Sequence, residues 1–137
     1  MTRSPSRIGL DIKRLQSQHH RAIDSALAPL GISLVQWDAL RHLSENPGAS
    51  LHDLAVLTFQ SDQAFGTLAR RMIDRGLLER VPGPGRAIRP KITAKGGELR
   101  QRAQVVVDEV LADSLGRLSP ADLARFDNLL QRLVDDR

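Results

Sequence analysis

At 137 residues and 41% apolar content, the chain can build one hydrophobic core and is not a disordered polymer. The lack of cysteine excludes disulfides, thiolate metal sites and a thiol redox sensor, and no apolar run approaches the roughly 20 residues of a membrane helix. The net charge of +4 is unevenly placed: residues 61–100 carry nine bases against four acids and the remainder eleven against twelve, the pattern of a localised phosphate-binding surface. Composition alone also allows an ordinary solvated charged face. The opening segment MTRSPSRIGL lacks the long apolar stretch of a secretory signal, so the expected location is the cytoplasm.

Trp37, Phe59, Phe65 and Phe126 are the whole aromatic set, so the core must come from Leu, Val, Ile and Ala, which suits packed helices. Ile8, Ile12, Leu15, His19, Ile23, Leu27 and Leu30 recur at a helical period. They predict a first helix of about 20 residues, closed by Pro29 and Gly31 and long enough to suggest pairing with another helix. Ser33-Leu-Val-Gln36 has the form of a capping box, in which the serine takes the third amide of the helix and the glutamine reaches back to the cap. Trp37, Leu40 and Leu43 then share one face of a second helix until Asn46-Pro47-Gly48 breaks it. Ser50, with Asp53 three residues on, opens a short third helix that ends around Thr58-Phe59-Gln60.

Ser61 caps a fourth helix, and Asp62 just inside favours its positive N-terminal end. That helix runs through Leu68, Ala69, Met72 and Ile73 to Gly76, a residue able to take the left-handed stop. Two helices across a tight turn make a helix-turn-helix. Beyond Gly76 the period shortens: residues 77–81 and 87–93 flank Pro82-Gly83-Pro84-Gly85 and predict a two-stranded hairpin, with Pro90 on an edge. Thr93 or Ala94 starts a long helix carrying Leu99, Ala103, Val106 and Val110, in which Gly96 and Gly97 predict a loose first turn. Ser119-Pro120-Ala121-Asp122 begins a last helix expected to bury Leu123, Phe126, Leu129, Leu130 and Leu133.

Three stretches, Asp53-Leu54-Ala55, Arg75-Gly76-Leu77-Leu78-Glu79-Arg80 and Ile92-Thr93-Ala94-Lys95-Gly96, resemble the multiple antibiotic resistance regulator (MarR) family. The family pattern there is D/E-L-A, K/R-G-L-V/I-E-R and L-T-x-x-G, and the spacing of the first two fits without a gap. The resemblance covers nearly the whole chain. It implies a fold that is mainly α with a small β-wing, a single domain over 1–137. A winged helix-turn-helix lobe at about 33–93 would lie between dimerisation helices at about 6–28 and 94–135. The wing departs from the family pattern. Arg86 takes the place of the arginine that enters the minor groove, but Pro84 stands where an aspartate usually braces it. Phe59 and Gln60 also replace the usual small-then-aliphatic pair of the turn.

In this geometry the N-terminal residues of the fourth helix point at base edges, which nominates Ser61, Asp62, Gln63, Ala64, Gly66 and Thr67. Gln63 suits bidentate pairing with adenine, Thr67 a base or phosphate, and Ala64 and Gly66 a close backbone approach. Asp62 is awkward beside phosphates and either accepts from cytosine or assists the cap. Phe65 faces Leu68 and Ala69 and reads as core. Arg70 and Arg71 are phosphate candidates, Arg86 the wing contact, and Arg89 and Lys91 further backbone contacts. The resemblance also implies a small, often phenolic, anionic effector between the dimerisation helices and the DNA-binding lobe. His20, Trp37 and Arg41 are its candidates, though Trp37 also suits the core.

His19, His20, His42 and His52 show no helical ligand pair with a carboxylate partner, so no metal is expected. Neither a catalytic constellation nor a cofactor-binding loop is present in the sequence. The expected function is a ligand-responsive homodimeric repressor or activator on a palindromic operator in double-stranded DNA. The alternative is a low-specificity architectural DNA-binding protein.

Overall fold

The computed structural model describes residues 1–83, 85 and 88–135. Each of its α-helices starts on a serine or threonine whose hydroxyl accepts from a first-turn N–H. These caps are Ser4 before α1 (Pro5–Leu27), Ser33 before α2 (Leu34–Glu45) and Ser50 before α3 (Leu51–Leu57). Ser61 precedes α4 (Asp62–Asp74), Thr93 precedes α5 (Ala94–Leu115) and Ser119 precedes α6 (Pro120–Val134). Ser33 with Gln36 is a reciprocal capping box at 3.2 Å both ways, and Ser50 with Asp53 is another at 3.0 Å. α1 passes at Leu27 into a 3₁₀ turn over Ala28–Leu30, which Gly31 ends with φ of 72°.

The stop after α4 sets the helix-turn-helix against the wing. Gly76, at φ 75°, donates to the Ile73 carbonyl, and the next residue, Leu77, donates to Met72, both at 2.9 Å. β1 (Leu78–Pro82) then pairs antiparallel with β2 (Ile88–Ile92), placing Leu78 opposite Ile92 and Arg80 opposite Pro90. A two-stranded sheet has only edge strands, so Pro90 withholds no N–H that a third strand would need. Among the buried residues, Leu40 of α2, Leu54 of α3, and Phe65 and Met72 of α4 share one core with Leu77 and with Val107 of α5. Phe65 is therefore core, as its neighbours in sequence predicted.

One expectation is corrected. The first turn of α5 is not loose. Thr93 caps it by accepting from Gly96 N–H at 3.0 Å, while its own hydroxyl donates to the Gly76 carbonyl. A Cβ on Gly96 would collide with the Leu77 carbonyl oxygen, so the glycine is what lets α5 close against the start of β1. α6, read as a dimerisation helix, buries none of its residues within the single chain. Leu123 and Phe126 are half-buried, and Leu129, Leu130 and Leu133 stay exposed. Phe126, Leu129, Leu130 and Leu133 border an apolar groove of about 640 Å³ whose opposite wall is Ile8, Ile12 and Leu15 of α1. No surface among the described residues covers this stripe.

Candidate nucleic-acid interface

α4 divides into two faces. Phe65, Ala69 and Met72 are locked in the core, which fixes the rotation of the helix about its axis. The opposite side carries Gln63, Ala64, Arg70 and Arg71 exposed and Gly66 and Thr67 half-buried, with Ser61 and Asp62 exposed at its start. Gln63, Thr67 and Arg70 follow at helical spacing, so one stripe runs from an amide through a hydroxyl to a guanidinium. Thr67 Oγ1 donates to the Gln63 carbonyl at 3.1 Å, which leaves the hydroxyl oxygen as an acceptor for a base amino group. A Cβ on Gly66 would meet nothing within 4 Å. No internal packing demands that glycine; it keeps the outer surface of the helix flat.

Asp62 is not a free carboxylate. Its Oδ1 lies 2.8 Å from Nδ1 of His52 in the first turn of α3, a cross-turn pair with both side chains about 70% exposed. The hydrogen bond to Asp62 comes first in holding His52 above the ordinary histidine range, followed by the charge of Asp62 and that of Asp53. Asp53 itself is held below the ordinary carboxylate range by the Ser50 N–H and hydroxyl and by the Arg89 guanidinium.

The wing is tied to the helices through Arg89. Its Nη1 donates to the Gly48 carbonyl at 2.8 Å, and a Cβ on Gly83 would stand only 2.9 Å from its side chain, so Gly83 makes room for it. Arg89 thus braces the hairpin first and has donors left for a phosphate. With Arg70 and Arg80 it rims a depression of about 240 Å³ between α4 and the hairpin, floored by Gly66 and Ala69. Lys91 is exposed on β2, opposite Glu79. Arg86 lies outside the described residues. The turn before α4 is unusual: Phe59 has φ of 57° and is 98% exposed.

The three effector candidates do not converge. Trp37 is buried, and its Nε1 has no partner among the described residues. The Arg41 guanidinium stands 5.6 Å from the ring centroid, held there by Asp38 at 2.8 Å. His20 instead borders the groove between α1 and α6, with Nε2 3.1 Å from Asp24. Sequence reasoning also missed two residues, His52 and Arg80. His52 sits ten positions before its partner, across a turn, and no helical or strand period links such a pair. Arg80 lay inside a motif that was used only to identify the family.

The MarR family model matches residues 30–87. The HTH-type transcriptional repressor Rv2887 of Mycobacterium tuberculosis is 34% identical over 116 residues, covering 83% of this chain and 84% of its own. The HTH-type transcriptional repressor IacR of Pseudomonas putida is 23% identical over 122 residues, 88% of this chain and 73% of its own. Among solved structures, the M. tuberculosis MarR family protein Rv2887 in complex with DNA superposes with a TM-score of 0.82 at 30% identity, covering 97% of this chain and all of that one. The same protein in complex with p-aminosalicylic acid gives 0.80 at 31% identity, over 93% and 98% of the two chains. Wild-type MarR of E. coli, at 19% identity and a TM-score of 0.85, shares the fold. The chain therefore belongs to the MarR family of winged helix-turn-helix transcription regulators, which are not enzymes.

Proposed function

We propose that the chain is a homodimeric, ligand-responsive repressor that acts in the cytoplasm and reads a palindromic operator with α4. The observation that carries this reading is the division of α4, with one face locked in the core and the other presenting Gln63 and Thr67 ahead of Arg70 and Arg71. Ser61, Ala64 and Gly66 keep the leading turn small enough to enter a major groove, and Arg89 and Lys91 approach the adjacent backbone. Arg86 is the proposed minor-groove contact of the wing. Residues 33–93 act as the DNA-binding lobe, and 6–28 with 94–135 as the dimerisation helices. The open apolar groove between α1 and α6 supports that division, because a second copy would cover it about a two-fold axis.

The effector is a small aromatic carboxylate, in keeping with the p-aminosalicylic and salicylic acid complexes of the M. tuberculosis relative. Its candidate contacts fall in two places, Trp37 with Arg41 at one and His20 in the groove between α1 and α6 at the other. The Arg41 guanidinium over the Trp37 ring offers a carboxylate a charge beside an aromatic surface. By favouring a dimer whose recognition helices are wrongly spaced, the ligand weakens DNA binding by its differential affinity.

Matched titrations of two variants test the reading, on a duplex the protein selects from a random pool and on its scramble, at one salt concentration. Gln63→Ala costs about 1–3 kcal/mol on the selected duplex and little on the scramble. Arg70→Ala weakens both by similar factors. Equal loss on both duplexes for Gln63→Ala shows that α4 does not read bases, which is the outcome expected of an architectural protein.

A further inference from the structure

We propose that His52 is a DNA-contacting residue that works in its protonated form, holding Asp62 through Nδ1 while Nε2 donates to a backbone phosphate beside the recognition helix. The inference rests on the DNA-binding reading of α4 given above. Asp62 is the first residue of that helix and His52 the second of α3, so the 2.8 Å pair joins the leading turns of both elements of the helix-turn-helix. An unpaired carboxylate at that point would repel the phosphates that Arg70 and Arg71 attract. A neutral His52 leaves the negative charge standing, whereas an imidazolium cancels it and turns Nε2–H toward solvent as a charged donor. The ring is 71% exposed on its side chain, and Nε2 has no partner among the described residues.

The surroundings favour the charged form. Asp62 faces the ring from α4 and Asp53 from its own helix, and both lift its proton affinity. Arg89 of β2 faces Asp53. A phosphate arriving at Nε2 adds a further negative charge on the open side, so protonation and DNA binding reinforce each other by linkage. Each protomer on DNA thereby gains about one phosphate contact as the medium is acidified.

The experiment is a titration of wild type, His52→Gln and Asp62→Asn with a labelled random-sequence duplex, from about pH 8 to about pH 5 and over a range of salt. Both side chains are exposed, so neither substitution disturbs the core. One added contact in each of two protomers is worth roughly tenfold in affinity, so wild type tightens toward acid by about that much more than His52→Gln. Its salt slope steepens by about one per bound protomer, and that of His52→Gln does not. Asp62→Asn binds more tightly than wild type at the alkaline end and responds less to pH. Parallel pH profiles for wild type and His52→Gln overturn the inference while leaving DNA binding intact. So does an Asp62→Asn variant no tighter than wild type at the alkaline end. Wild type that binds no duplex at any pH overturns the DNA-binding reading itself, and this inference with it.

Discussion

Replacing Phe59 with glycine should stabilise the protein. α3 ends in a stop of the kind that closes α4: Gln60 N–H donates to the Ala55 carbonyl at 2.9 Å and Phe59 N–H to Val56 at 3.2 Å. At the position where α4 has Gly76, α3 has Phe59, held at φ of 57°. A left-handed conformation costs an L-residue about 1–2 kcal/mol, while glycine loses about 0.5–1 kcal/mol more chain entropy on folding. The ring is 98% exposed, so its removal forfeits almost no packing. The balance is a gain of about 0.5–1 kcal/mol, which for a chain of this size raises Tm by about 2–4 °C. Thermal unfolding followed by circular dichroism at fixed protein concentration reads it, since the Tm of an associating chain depends on concentration. Phe59→Ala keeps the backbone penalty and should not share the gain. If Phe59→Gly melts at or below wild type, the ring has a packing partner and the reasoning is wrong.

That same turn shows where sequence reading stops. Serine caps, proline starts and glycine stops are local, so Ser33, Ser61, Ser119 and Gly76 mark the helix ends in the sequence itself. The buried face of α4 was legible for the same reason, because helical period fixes which residues share a side. Nothing local announces that Phe59 will be left-handed, since the backbone obeys the stop geometry and the side chain accepts the strain. Gly96 was misread because a propensity rule sees an entropy cost within one helix. The fold uses that glycine for the approach of another backbone, the Leu77 carbonyl. His52–Asp62 and Arg89–Gly48 join residues ten and forty-one positions apart, and only tertiary packing brings such groups together. The apolar stripe of α6 was legible as a face to be covered, and it was the family resemblance, not the period, that assigned it to dimerisation. Periodicity reports that a face must be covered, not which molecule covers it.

Gly96→Ala should destabilise the fold by about 1–3 kcal/mol despite alanine's better helix propensity, because a carbonyl cannot yield as a side chain can; denaturant unfolding measures it. The depressed Asp53 carboxyl contributes stability that is present above the ordinary carboxylate range and lost as pH falls through its lowered value. Asp53→Asn should therefore flatten the acid limb of the stability profile and leave its alkaline side parallel to wild type. Leu130→Asp tests the groove. Leu129, Leu130 and Leu133 face open space in the single chain, across from Ile8 and Ile12 of α1, and a surface this apolar is covered when a second copy docks. An aspartate there must either lose its water or prise the interface open, and an unpaired buried charge costs several kcal/mol. The variant should shift from dimer to monomer in sedimentation at micromolar concentration, with a lower Tm, and should lose DNA affinity far more than Arg70→Ala does, because each monomer then grips one half-site alone. Wild type that sediments as a stable, folded monomer would show that the groove is not a dimer interface and remove the basis for a palindromic operator.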